Sequence, residues 1–254
     1  IHFITYKQPV RLENLNSKLH FHEVNVPTYD LFKYQPYELA LSSKVVDIVK
    51  NYKIDLLHVH YAIPHAFAAY MAKKMLEDEG VFITMITTLH GTDITLVGSH
   101  PFYKKAVQFS INNSEYVTAV SQSLKEDTER LFKIKKEIKV IPNFIDSEKY
   151  SSRTVPCDNG FLNKENQTII THISNFRPLK RVIDVIKIYE KIHLKFNSKL
   201  LMVGDGPDKE KAKRYCRSNG LENAVMFLGN SNEIDEILCF SDLFLLPSEQ
   251  ESFG

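Results

Sequence analysis

The stretch TIITHISNFRPLKRVIDVIKIY, residues 168–189, decides the reading of the fold. Residues 168–173 are apolar and β-branched enough for a buried strand. Leu179, Val182, Ile183, Ile186 and Tyr189 then recur at spacings of three and four, the pattern of a helix with one apolar face. A strand followed at once by an amphipathic helix is half of a βαβ unit, and the pattern repeats on both sides. Downstream, strands are expected at 199–203, 225–228 and 242–246. Upstream they are expected at 1–5, 19–26, 55–59, 81–87, 115–119 and 138–141, with helices at 36–50, 64–79, 102–111 and 121–132. In the last helix Ser121 is placed to cap, and Leu124, Thr128, Leu131 and Phe132 supply a buried face. Residues 147–167 change to Ser, Lys, Asn, Pro and Gly, a linker between an expected domain of 1–150 and another of 151–254. The alternation predicts α/β architecture twice over, each half a doubly wound parallel sheet, and in such sheets ligands sit outside the carboxyl ends of the strands.

Composition narrows the function classes. With 32 Lys plus Arg against 31 Asp plus Glu in 254 residues the net charge is +1, which supports neither a nucleic-acid nor a membrane electrostatic footprint. No apolar run approaches the roughly 18 residues of a membrane span. Cys157, Cys216 and Cys239 are odd in number and widely spaced, so free thiols and a cytoplasmic protein are expected. None of the 9 glycines forms a G-x-G-x-x-G or Walker loop. The chain opens on Ile1 inside a strand pattern and stops at Gly254 after a turn-rich segment, so it reads as a piece of a longer protein.

The expected strand ends carry the polar chemistry. His58, His60 and His65 follow one strand; a metal site is one reading and hydrogen-bonded imidazoles the other, which the lack of a neighbouring Cys or carboxylate cluster favours. The next strand runs into Thr87, Thr88, Leu89, His90, Gly91, Thr92 and Asp93, groups suited either to a polyhydroxylated or anionic ligand or to capping a turn. Arg177 and Lys180 stand where the helix after strand 168–173 is expected to begin, a place unfavourable to cations unless an anion is bound. Gly204-Asp205-Gly206-Pro207 is a turn after another strand, with Pro207 placed to start a helix, and 247–254 closes the chain with Glu249 and Glu251.

Taken together, Arg177 with Lys180, residues 204–207 and above all Glu251-Ser252-Phe253-Gly254 resemble the retaining glycosyltransferases of the GT-B fold, family 4 type. The last string looks like the first half of that family's E-x7-E signature. HVHYAIPH at 58–65 and TTLHGTDITLVG at 87–98, with Val117 to Ser121 and NFID at 143–146, are similar to the branch acting on L-malate in bacillithiol synthesis.

The resemblance implies two Rossmann-like domains facing a cleft, both incomplete here. The amino-terminal domain, which binds the acceptor, lacks its first strand and glycine-rich loop; the carboxyl-terminal domain, which binds the nucleotide sugar, is truncated. It further implies transfer of N-acetylglucosamine from UDP-GlcNAc to L-malate without metal or cofactor, and a fragment that is inactive alone. His90, Arg177, Lys180 and Glu251 would be catalytic. Gly204, Glu251, Ser252, Phe253 and Gly254 would bind the donor, and Tyr61, Thr88, Lys104, Lys105 and Gln108 the acceptor. Neither nucleic acid nor a membrane is an expected partner, and a homo-oligomer is left open. Another acceptor, an inositol phosphate or a lipid-linked sugar, is the nearest alternative. A non-catalytic sugar-binding protein is the alternative from another class.

Overall fold

The computed structural model describes residues 1–9, 12, 16–28, 30, 34–145 and 167–251. They form two compact units that divide between Phe144 and Ile145. The expected linker, residues 147–167, lies outside the described residues except for Gln167.

In the first unit β1 (His2–Thr5) and β2 (His20–Glu23) form a parallel pair. Next in the chain come α1 (Tyr37–Tyr52), β3 (Leu56–His60), α2 (Phe67–Asp78), β4 (Thr84–Leu89), α3 (Pro101–Asn112), β5 (Tyr116–Ala119), α4 (Gln122–Leu131) and β6 (Ile138–Val140). The sheet β3-β4-β5-β6 is parallel throughout and in sequence order. Leu57 and Met85 bury one of its faces against Val45 and Val49 of α1 and Ala69, Ala72 and Leu76 of α2. Leu89, Val117, Ala119 and Ile138 pack with Val107 and Ile111 of α3 and Leu124 of α4. Ser121 caps α4, its Oγ accepting from Leu124 N at 3.2 Å. The 19–26 strand contracts to four residues.

The second unit runs β7 (Thr168–Ile173), α5 (Val182–His193), β8 (Ser198–Val203), α6 (Lys209–Ser218), β9 (Val225–Gly229), α7 (Ile234–Phe240) and β10 (Leu243–Phe244), with the parallel order β10-β7-β8-β9. Ile169, Leu201 and Val203 meet Ile237 of α7 on one face; Ile170, Leu200 and Met202 meet Val185, Ile186 and Tyr189 of α5 on the other. Burial on both faces is why β7 and β8 read as near-continuous apolar runs. Tyr189, fully buried, donates its hydroxyl to Ser198 O at 2.7 Å and so locks α5 to the start of β8.

Three expectations are corrected. Helix α5 begins at Val182, because Pro178–Lys180 winds into a separate 3-10 turn and Arg181 then takes a left-handed backbone, φ 54. Helix α6 begins at Lys209, two residues beyond Pro207, since Asp208 N is drawn to Phe176 O at 2.9 Å. Finally, Cys216 is a buried thiol, pushed up to about 11 by burial and the charge of Glu222, but Cys239 is disulfide-bonded and not a free thiol. Cys157 lies outside the described residues.

Candidate active site

In the second unit three loops converge at the carboxyl edge of the sheet: 174–181 after β7, 204–208 after β8 and 245–251 after β10. Gly204, at φ 120, lies so close to the first loop that a Cβ there would stand 1.8 Å from Ser174 O. A Cβ on Gly206 would stand 2.0 Å from Asn175 O. These glycines are needed for close approach of two backbones rather than for a phosphate-wrapping loop. The last segment docks through Glu249 N, which donates to Leu179 O at 2.9 Å.

Those contacts bring Lys180 Nζ to 2.5 Å from Glu251 Oε1, with side chains 19% and 25% exposed. Arg177 is exposed at the start of the 3-10 turn, its backbone extended. Two cations and a carboxylate are thus brought to the carboxyl edge of this sheet. The arrangement suits a diphosphate joined to a polyhydroxylated group: guanidinium and ammonium donate to phosphate oxygens, and the carboxylate accepts from hydroxyls. Ser252, Phe253 and Gly254, expected to bind the donor, lie outside the described residues.

In the first unit the strand-end imidazoles form a connected group. His58 Nε2 is 2.8 Å from Thr88 Oγ1, which is 2.7 Å from Thr118 Oγ1. His60 Nδ1 is 2.8 Å from His90 Nε2, and His65 Nδ1 is 3.0 Å from His60 O. The Tyr61 ring lies 4.8 Å from that of His90, on a backbone with φ 76, and Tyr61 N donates to Thr88 O at 2.9 Å. Burial and the neighbouring imidazoles push His60 down to about 4. Burial likewise lowers His65 and His90, which favours the neutral form of both rings. Among the described residues no group of three or more His, Cys, Asp or Glu could hold a metal ion, and the metal reading of His58, His60 and His65 gains no support.

Asp93 proves to be the knot of this unit. It is buried and accepts from Ala62 N at 2.7 Å, Gly91 N at 3.0 Å and His90 N at 3.2 Å, tying the loop after β3 to the loop after β4. Of the two readings of the 87–93 loop, its carboxylate therefore follows the turn-capping one. Burial nonetheless raises its carboxyl above the usual range. On α3, Gln108 accepts from Lys133 N at 3.1 Å and Lys104 Nζ lies 5.9 Å from the Phe132 ring. Both partners lie in the segment that follows α4. Lys105 is exposed on α3.

Residues 1–149 match Glycosyltransferase Family 4, and residues 158–254 match Glycosyl transferases group 1. The chain belongs to glycosyltransferase family 4. This glycosyltransferase is 45% identical over 255 residues to the N-acetyl-alpha-D-glucosaminyl L-malate synthase of Bacillus anthracis, a match that covers the whole chain and 66% of that protein. It is 26% identical over 259 residues to an uncharacterized glycosyltransferase, MJ1178, of Methanocaldococcus jannaschii, of which it covers 65%. The chain thus spans just under two thirds of the length of these relatives. Among solved structures, a glycosyltransferase of Rickettsia africae aligns over 100% of the chain and 66% of its own, with TM-score 0.70 at 20% identity. Anabaena Alr3699/HepE, solved in complex with UDP and glucose, aligns over 91% of the chain and 61% of its own, with TM-score 0.69 at 20% identity. The fold is GT-B.

Proposed function

We propose that the full-length protein transfers N-acetylglucosamine from UDP-GlcNAc to the hydroxyl of L-malate, with retention at the anomeric carbon and without a metal. The observation that carries this reading is the 45% identity, over the whole chain, to a protein named for that product. The paired cations and carboxylate at Arg177, Lys180 and Glu251 agree with it. In the reaction the malate hydroxyl oxygen bonds to the anomeric carbon as the bond to the diphosphate breaks. The hydroxyl proton passes to the departing diphosphate on the same face. Arg177 and Lys180 stabilise the charge that grows on the leaving oxygen, and Glu251 accepts from donor-sugar hydroxyls. His90, neutral, holds the sugar near the reacting carbon.

Tyr61 is assigned to malate. The Thr88 hydroxyl is taken up by His58 and Thr118, so Thr88 serves as the prop of the His58 ring. Gln108 is left out of the acceptor set, and Lys105 supplies a point charge for a malate carboxylate. As a consumer of UDP-sugar the enzyme is placed in the cytoplasm.

Steady-state kinetics of full-length Tyr61→Phe test the acceptor assignment. The KM for malate is expected to rise about three- to tenfold, the worth of one hydrogen bond, with the KM for UDP-GlcNAc little changed. Equal effects on both substrates would remove Tyr61 from the acceptor site. Turnover with an inositol phosphate or a lipid-linked sugar, and none with malate, would favour the alternative acceptors.

A further inference from the structure

We propose that His172 is a positioning residue: a neutral imidazole, fixed in one tautomer, that sets the 174–181 loop against the 245–251 segment and so holds the diphosphate-binding groups in place. The inference rests on the donor-site reading above.

His172 is fully buried as the penultimate residue of β7, on a strand whose Ile169 and Ile170 are buried with it. Its Nδ1 lies 2.8 Å from Leu245 O, and a carbonyl only accepts, so Nδ1 carries the hydrogen. Its Nε2, bare in the neutral ring, lies 2.8 Å from Ser174 Oγ and accepts the hydroxyl hydrogen. Ser174 Oγ in turn accepts from Phe176 N at 3.3 Å. The chain of donors thus runs in one direction, from Phe176 through Ser174 to His172 and on to Leu245. One ring thereby spans the loop that bears Arg177 and Lys180 and the segment that bears Glu251.

The loop it holds is strained and closely packed. Phe176 has φ 39, in the left-handed region, and its ring is fully buried, 6.0 Å from the His172 ring and 19° from parallel to it. Such a backbone persists only where its surroundings over-determine it, and the Ser174 bond is part of that determination.

Protonation would break the arrangement. A second ring hydrogen on Nε2 would turn the Ser174 hydroxyl away and place a charge on a fully buried ring. Among the described residues Lys180, paired with Glu251, is the charged group whose field reaches the ring. From β8 the opposite position is Met202, and from the segment after β10 the contact is the Leu245 carbonyl. Burial and the Lys180 charge lower the ring's affinity for a proton, and the Leu245 carbonyl partly opposes them. A folded-state value below the ordinary one means that the stabilisation is full above about pH 6.5 and is lost as pH falls toward the folded value.

UDP titrated calorimetrically into the full-length protein between about pH 8 and about pH 5.5, alongside His172→Gln and Ser174→Ala, tests this. At the alkaline end His172→Gln is expected to bind UDP about three- to tenfold more weakly. The gap should hold while the wild-type ring is neutral and close only where the ring's own nitrogen-15 shift reports protonation, since the glutamine does not charge. Protonation of UDP weakens both alike. If His172→Gln does not fold, Ser174→Ala carries the comparison, with weaker UDP binding and a nearly unchanged unfolding temperature expected. Unchanged affinity in the folded variants, or a gap that persists where the nitrogen-15 shift shows the ring protonated, overturns the proposal. Nitrogen-15 spectra of the ring without ligand should show a protonated Nδ1 and a bare Nε2, with the Phe176 amide titrating alongside; the opposite tautomer overturns it. A protein that binds no UDP at any pH would sink the donor reading, while the spectra would still decide the role of His172.

Discussion

Arg177→Ala is expected to lower the turnover of the full-length transferase about 10²- to 10³-fold, some 3 to 4 kcal/mol of transition-state stabilisation. Arg177 is exposed, with its backbone extended at the head of the 3-10 turn, on the loop whose Lys180 meets Glu251. The guanidinium matches phosphate geometry in a way that an ammonium does not, so Lys180 is not expected to substitute for it. Because charge on the leaving oxygen grows as the glycosidic bond breaks, the loss should fall on kcat more than on the affinity for UDP-GlcNAc. Single-turnover rates together with equilibrium binding of the donor separate the two. An unchanged rate would take Arg177 out of the site.

Gly204→Ala is expected to destabilise the protein by about 3 kcal/mol, combining a left-handed backbone with overpacking. The added carbon would meet Ser174 O at 1.8 Å, and the atom it meets is backbone, which does not swing aside. The expected response is displacement of the 174–181 loop, so UDP binding should fall with stability. Gly220→Ala is the control. Its φ of 68 is similarly unfavourable, but nothing lies within 4 Å of the added carbon, and about 1 kcal/mol is expected. Denaturant unfolding of both variants checks the difference. Equal losses would mean that the close approach of the two loops contributes nothing.

The strands β7 and β8 were legible in sequence to within a residue, because a strand buried on both faces leaves an apolar run with few competing readings. The start of α5 was not. Residues 177–181 carry helix-like composition, and only the left-handed Arg181 separates the 3-10 turn from the helix. Helix α7 is seven residues long, too short for its Ile234 and Ile237 to register as a period.

The site divides in the same way. Arg177, Lys180 and Glu251 could be named from their strand-end positions, but the ion pair between Lys180 and Glu251, 71 residues apart, is a property of the parallel sheet order. Asp93 was visible as a polar loop residue, yet its inward turn onto three backbone amides depends on where the loop after β3 passes. Gln108 was named through the family resemblance, and the bond its amide oxygen accepts from Lys133 N, 25 residues away, is a contact that no sequence pattern reports. His172 carried a signal that was legible, a histidine at the end of a strand of isoleucines and threonines.

The most direct test of the central claim is proton NMR of the full-length protein incubated with UDP-GlcNAc and L-malate. The expected result is one equivalent of UDP per N-acetylglucosaminyl malate formed, with the anomeric proton in the α configuration of the donor. Release of UDP without a malate glycoside, or a β-linked product, would contradict the account.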